Sequence, residues 1–157
     1  MAISAQKNSR YLALAAKESL PLSALKTGTI SSAGNIITGV GTAFKSEVRP
    51  GDWIVDLVTN DELRKVISIT DDTHLIVDEE FTLVLPALSV IRTVRSRAKM
   101  ISVTNTGGTN ATLDDVAIIP GQTTTFPKSE KNPNGSDFID PIIVDPAATT
   151  ITYIIQK

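Results

Sequence analysis

Hydrophobic and polar positions alternate along this chain in short runs, each broken after a few residues by glycine, proline, asparagine or aspartate. A period of two bounded by turn residues predicts β-strands. In the first half the candidate strands are 28–31, 36–38, 53–59, 63–69, 74–77 and 88–94. Within Lys65-Val66-Ile67-Ser68-Ile69 the alternation places Ile67 and Ile69 on one face. Gly34-Asn35 supplies a turn, with Gly34 free to adopt positive φ. Arg49-Pro50-Gly51-Asp52 carries proline and glycine in the order of a type II turn. Trp53 opens the strand after that turn and is expected to anchor the core. Asn60-Asp61 and Asp71-Asp72 mark further turns. In the second half the candidate strands are 100–105, 111–113, 117–119, 123–126, 142–144 and 151–155.

Three regions separate by composition. Residues 1–26 hold Lys7, Arg10, Lys17 and Lys26 against Glu18 alone, together with Ile3, Tyr11, Leu12, Leu14, Leu20, Leu22 and Leu25. Ser9 can cap a short helix from Arg10 to about Ser19, ended by Pro21. The leader reads either as an arm that packs on a neighbouring subunit or as a helix covering one end of its own barrel. Residues 27–97 form a small β-barrel-like module, and residues 98–157 a small β-sandwich-like module. The polar stretch between Pro127 and Pro141 reads as an exposed loop of the kind that carries contacts. The fold class is therefore all-β, with a short N-terminal helix or extended arm.

Composition narrows the functions open to such a chain. At 157 residues with 41% hydrophobic and 20% charged residues, it can bury the core of one ordinary domain or two small ones. A net charge of −2 gives no overall attraction to nucleic acid, and 4% aromatics are too few for a base-stacking platform. The absence of cysteine removes disulfides, thiolate metal sites and cysteine nucleophiles together. Lys7, Arg10 and Lys17 interrupt any apolar signal-peptide core, and no apolar run approaches the ~20 residues of a membrane helix.

Each candidate for chemistry has a structural counterpart. Gly39-Val40-Gly41-Thr42-Ala43-Phe44 begins like a dinucleotide fingerprint, but Phe44 stands where its third glycine belongs. The glycines fit a bulge or tight bend better. His74, the only histidine, follows Asp71 and Asp72 and could pair with an orienting carboxylate, yet no nucleophile motif accompanies it. Asp71, Asp72, Asp78, Glu79 and Glu80 lack the regular spacing of a calcium loop and read as solvated turns. Arg95, Arg97 and Lys99 would share a strand face, open to phosphate, to an acidic partner or to solvent. Asn110-Ala111-Thr112 and Asn134-Gly135-Ser136 match the glycosylation pattern without a secretory signal beside them. No catalytic, cofactor-binding or metal-binding residue is assigned, and no cofactor or small-molecule ligand is expected.

One ordered set of motifs resembles a known family. Gly28-Thr29, then Thr38-Gly39-Val40-Gly41-Thr42-Ala43-Phe44, then Gly51-Asp52-Trp53-Ile54 is similar to a β-module of small tailed-bacteriophage structural proteins. Val66-Ile67-Ser68-Ile69 followed by Asp72 and Leu75 continues the likeness, which covers about residues 27–95. The second half, with Asn105-Thr106-Gly107 and Ile119-Pro120-Gly121, is similar to β-sandwich modules also met in phage particles. The resemblance implies a non-enzymatic, multicopy virion protein made in the host bacterial cytoplasm. Its implied partners are copies of itself and other virion proteins of capsid, neck or tail, with no membrane and no specific nucleic acid. A capsid-decorating or accessory role is favoured over neck or tail. The alternative is a carbohydrate- or receptor-binding β-sandwich of a phage fibre.

Overall fold

The computed structural model of the chain describes residues 12–59, 61–87, 89–127 and 139–156. It is nearly all β, with fourteen strands and one four-residue helix among the described residues. In chain order the strands are β1 (Leu12–Leu14), β2 (Glu18–Leu20), β3 (Ala24–Ala33), β4 (Ile36–Val40), then helix α1 (Phe44–Glu47). There follow β5 (Trp53–Asp56), β6 (Glu62–Ile69), β7 (His74–Val77) and β8 (Ser89–Val94). The remainder are β9 (Met100–Asn105), β10 (Ala111–Leu113), β11 (Val116–Ile118), β12 (Thr123–Pro127), β13 (Ile142–Asp145) and β14 (Ile151–Gln156).

Two compact units divide the chain. One spans Glu18–Ser96, and the other joins the described residues up to Lys17 with those from Arg97 onward. The break therefore falls within the 1–26 leader, nine residues before the composition boundary, and the barrel is an insertion between two parts of the second unit.

The barrel closes in the order β3-β4-β7-β6-β5-β8, every pairing antiparallel. Closure gives each strand a neighbour on both sides, so the sheet has no end strand to template association. Alternate residues point inward and form the core, among them Ile30, Ile37, Ile54, Leu75 and Ile91, with Phe44 of α1 capping the cluster. Gly34 has φ of +58° between Ala33 and Ile36, the two-residue hairpin expected there. Gly51 has φ of +91°, and the Asp52 N–H donates to the Arg49 carbonyl, which completes the type II turn. Gly28 marks a register shift in β3, with φ of +84°. A Cβ there would stand 2.5 Å from the Val40 carbonyl oxygen, so only glycine lets the bulged strand approach the end of β4.

Four expectations are corrected here. Trp53 is half-buried and lies outside the core cluster; its neighbour Ile54 is fully buried and takes the inward position. Alternation allows only one of two successive residues to face in, and Ile54 takes that position. The Lys65 Nζ stands 5.7 Å from the Trp53 ring centroid instead. Second, Ile67 and Ile69 do not share a face. A register shift between Val66 and Ser68 inserts one residue, so Val66 and Ile69 pack toward the core while Ile67 is exposed. Third, β5 stops at Asp56 rather than running to Thr59. The Asp56 Oδ1 accepts the N–H groups of Val58 and Thr59, an Asx turn that takes those donors out of the ladder.

The fourth correction concerns the leader. No helix forms in its described part: Leu12–Leu14 pairs with β14, Leu12 opposite Tyr153 and Leu14 opposite Ile151. A helix this short is marginal by itself, whereas the strand pairing satisfies its backbone and buries Leu14. Leu20 is also buried, while Leu12, Leu22 and Leu25 stay exposed. Ile3, Ser9, Arg10 and Tyr11 lie outside the described residues.

In the second unit one sheet has the order β1-β14-β9-β12, and β11, β10 and β13 lie side by side in another. Ile101, Val103 and Asn105 point to the buried side of β9, with Ile151 and Tyr153 beside them on β14. Asn105 is fully buried and every hydrogen-bonding position of its side chain is used. Nδ2 donates to the carbonyls of Thr109 (2.8 Å) and Ile118 (2.9 Å), and Oδ1 accepts from Gly107 N–H and Thr149 Oγ1. Because Ile118 ends β11, this one side chain ties the two sheets together. Most of the 127–141 loop, including Asn134, lies outside the described residues.

Candidate interaction surface

The residues singled out as chemical candidates serve turns and caps in the structure. Asp71 Oδ1 accepts the Thr73 N–H at 2.7 Å and its hydroxyl at 2.8 Å, and lies 3.1 Å from His74 Nδ1. Those bonds, the Thr73 backbone first, hold the Asp71 carboxyl well down, at about 2. Both Asp71 and Thr73 meet the same ring nitrogen of His74. A triad needs the acid and the nucleophile on opposite nitrogens, so this cluster is a turn and not a catalytic relay. Asp72 closes the start of α1: its carbonyl accepts from Thr42 Oγ1, and its Oδ1 accepts from Lys45 N–H. Asp78 Oδ1 accepts the Lys65 and Glu79 N–H groups. No cluster of metal-ligating side chains occurs among the described residues.

The fingerprint-like glycines belong to the same fastening. Thr42 and Phe44 follow Gly41, whose φ of +66° turns the chain from β4 into α1. At the other end of α1, Glu47 accepts the Thr27 N–H at 2.9 Å and its hydroxyl at 2.6 Å. That pairing, the hydroxyl bond foremost, lowers the Glu47 pKa and ties the helix to the bulge of β3.

The basic run does not form one face. β8 ends at Val94, and Arg95, Arg97 and Lys99 lie beyond it outside any strand, so the alternation that would align them is absent. Arg95 is instead engaged by Asp52. Arg92 points out from β8 and donates through Nη1 to Glu18 Oε2 at 3.1 Å and Ser23 Oγ at 3.3 Å.

Part of what the barrel leaves exposed is apolar. A groove of about 300 Å³ runs along β8, walled by Val55, Val58, Pro86, Ala87 and Val90, with Arg92 at its side. Val58 is 94% exposed on the loop after β5, held there by the Asp56 Asx turn. Val90 is 60% exposed, and Leu25, opposite Arg92 on β3, is 61% exposed. Across β3, Thr29 stands between Val90 and the exposed Val40. Val58 and Val90 thus place apolar surface at the mouth of the groove. The groove could not be foreseen, because its walls come from segments about thirty residues apart. No family model matches the chain, and neither a curated protein nor a solved structure matches it.

Proposed function

We propose that this chain is a non-enzymatic structural protein of a tailed-bacteriophage virion, present in many copies and bound to other virion proteins and to itself. The supporting observation is how the family-like motifs are used. Gly28, Thr42, Phe44, Gly51 and Asp52 each fasten the barrel shut, while the outward face keeps Leu25, Val40, Val58 and Val90 in solvent. A module whose motif residues secure the scaffold and whose outer surface keeps several large apolar side chains in solvent fits an assembly component. A capsid-decorating or accessory position is our preferred assignment over neck or tail. The glycan-binding alternative needs an open aromatic platform, and Lys65 stands over the half-buried Trp53 ring.

Immunoelectron microscopy tests this directly. Antibody raised against the chain is applied to purified particles of the virus that encodes it. Several labels per particle on capsid, neck or tail are expected. Clean particles, with the protein left wholly in the soluble lysate, overturn the proposal.

A further inference from the structure

We infer that the seam between β5 and β8 is a docking slot for an extended, uncharged segment of another protein, which adds its backbone to the open edge of β8. The inference rests on the assembly role above for the source of that segment, and names where it binds. On one side β8 pairs with β3 as far as Ser89. On the other it meets β5 at Trp53–Val94 and Ile54–Thr93, and nowhere else among the described residues. Val55 and Asp56 continue β5 along β6, opposite Leu63 and Glu62, but the ladder to β8 has ended. The groove of about 300 Å³ lies at this place, lined by Val55 and Asp56 from β5 and by Ser89, Val90 and Arg92 from β8. The gap in the ladder and the groove are therefore one feature.

In an antiparallel sheet every second residue turns its N–H and C=O toward the same neighbour. The Ser89 N–H already serves the Pro86 carbonyl, so the open donors of β8 lie between Val90 and Arg92. An extended chain laid in the groove satisfies such an edge; a helix has spent its backbone groups on itself and cannot. From Ser89 to Arg92 β8 covers about 13 Å, room for a segment of about four residues. Its outward side chains meet Val90, 60% exposed, and Val58, 94% exposed, which favours apolar residues at alternate positions. Charge sets the rest. Arg92 gives Nη1 to Glu18 and Ser23, and its Nε and Nη2 make no hydrogen bond among the described residues, which leaves donors for a carbonyl. Glu18 already balances the Arg92 charge, and Asp56 brings a further carboxylate into the lining. An acidic segment is therefore disfavoured and an uncharged one fits.

The test pans a random hexapeptide library against the full chain. Enriched peptides are synthesised and measured against wild-type protein and two variants, Val90→Glu and Val58→Glu. Both positions are exposed, so the substitutions leave the barrel core alone. The enriched peptides are expected to be uncharged and apolar at alternate positions. Their affinity for either variant should fall about tenfold or more, and on wild-type protein they should slow amide exchange between Val90 and Arg92. An enriched set insensitive to both variants, or no enriched peptide at all, overturns the slot. Binding that leaves those amides unprotected, or that selects acidic peptides, overturns strand addition in favour of a side-chain or charge contact. Self-association of the full chain that Val90→Glu abolishes makes a second copy the occupant and overturns the assignment to another protein. Particle labelling is independent of each result, so failure of the slot is distinguishable from failure of the virion role.

Discussion

Arg95 grips Asp52 with a two-pronged ion pair, Nε to Oδ1 at 2.5 Å and Nη2 to Oδ2 at 2.7 Å. The Asp52 side chain is 5% exposed, and its Oδ2 also accepts the Arg49 N–H at 2.9 Å. One carboxylate thus secures the type II turn before β5 and holds the chain as it leaves β8. The pairing raises the Arg95 pKa, through the hydrogen bonds it donates to Asp52 first. Parallel N–H donors matched to both carboxylate oxygens are the strong form of such a contact.

Asp52→Ala should therefore cost about 2–3 kcal/mol of stability. That is below the 3–5 kcal/mol of a fully buried pair because Arg95 is 38% exposed. Arg95→Lys keeps the charge but loses the fork, and should recover only part of the stability lost in Arg95→Ala. Urea unfolding of the three variants provides the check, and equal stability of the Lys and wild-type proteins would show that the fork is immaterial.

Asn105→Asp should destabilise the second unit by about 3 kcal/mol, comparable to Asn105→Ala. Aspartate matches the shape but cannot donate to the Thr109 and Ile118 carbonyls, which would stay buried and unpaired. Hydrogen exchange should show β11 and residues 106–110 losing protection first. Protection unchanged in those segments would mean that the sheets are held together elsewhere.

Ile54→Ala should cost more than Trp53→Ala despite the smaller side chain. Ile54 is wholly inside the barrel, where deletion leaves a cavity and costs ~2–5 kcal/mol. Trp53 keeps part of its ring in solvent beneath Lys65, so its removal forfeits less burial. The order of the two melting midpoints decides the matter.

Asp71 sets an acid response. Its folded pKa of about 2 lies below the ordinary 3.8, so its contribution is fully present above the unfolded value and is lost as pH falls through about 2. Thr73→Val removes the hydroxyl donor and should move the Asp71 carboxyl midpoint upward in an NMR titration. Asp71→Asn should flatten the stability profile between about pH 4 and 2. A midpoint that stays put in Thr73→Val would exclude the hydroxyl as a cause.

Asp114 behaves in the opposite sense. Asp114 and Asp115 turn β10 into β11 with φ of 42° and 66°, the conformation that favours Asn-Gly. Burial raises the Asp114 pKa, the Asp115 charge raises it further, and the Ile143 N–H bond opposes them. A raised carboxyl pKa favours the fold at low pH, and that advantage is lost as pH rises through the folded value. Asp114→Asn keeps an acceptor for Ile143 without the charge. Combined with Asp115→Gly it should stabilise by about 1 kcal/mol at neutral pH, with the part due to Asp114 disappearing below the unfolded carboxylate range. Unfolding curves at pH 7 and pH 3 distinguish a charge effect from a purely conformational one.

Most strands could be read from residue order because a half-buried strand declares itself by alternation and its turns by glycine, proline and aspartate. β7, β9 and β10 begin and end where that pattern places them, and Gly34 and Gly51 adopt the positive φ their turns require. Closure of the barrel, the insertion of residues 18–96 between two parts of the second unit and the pairing of Leu12–Leu14 with β14 were decided only in three dimensions. Each joins residues far apart in the chain, and local periodicity holds no information on which distant edge a strand will meet. The same limit explains the misplaced side chains. Trp53 yields the core to Ile54, Ile67 is turned out by a one-residue bulge, and Arg95 finds a carboxylate 43 positions away. A period of two says which residues share a face only while the ladder stays regular, and it is tertiary packing that decides where the ladder breaks and which face becomes the inside.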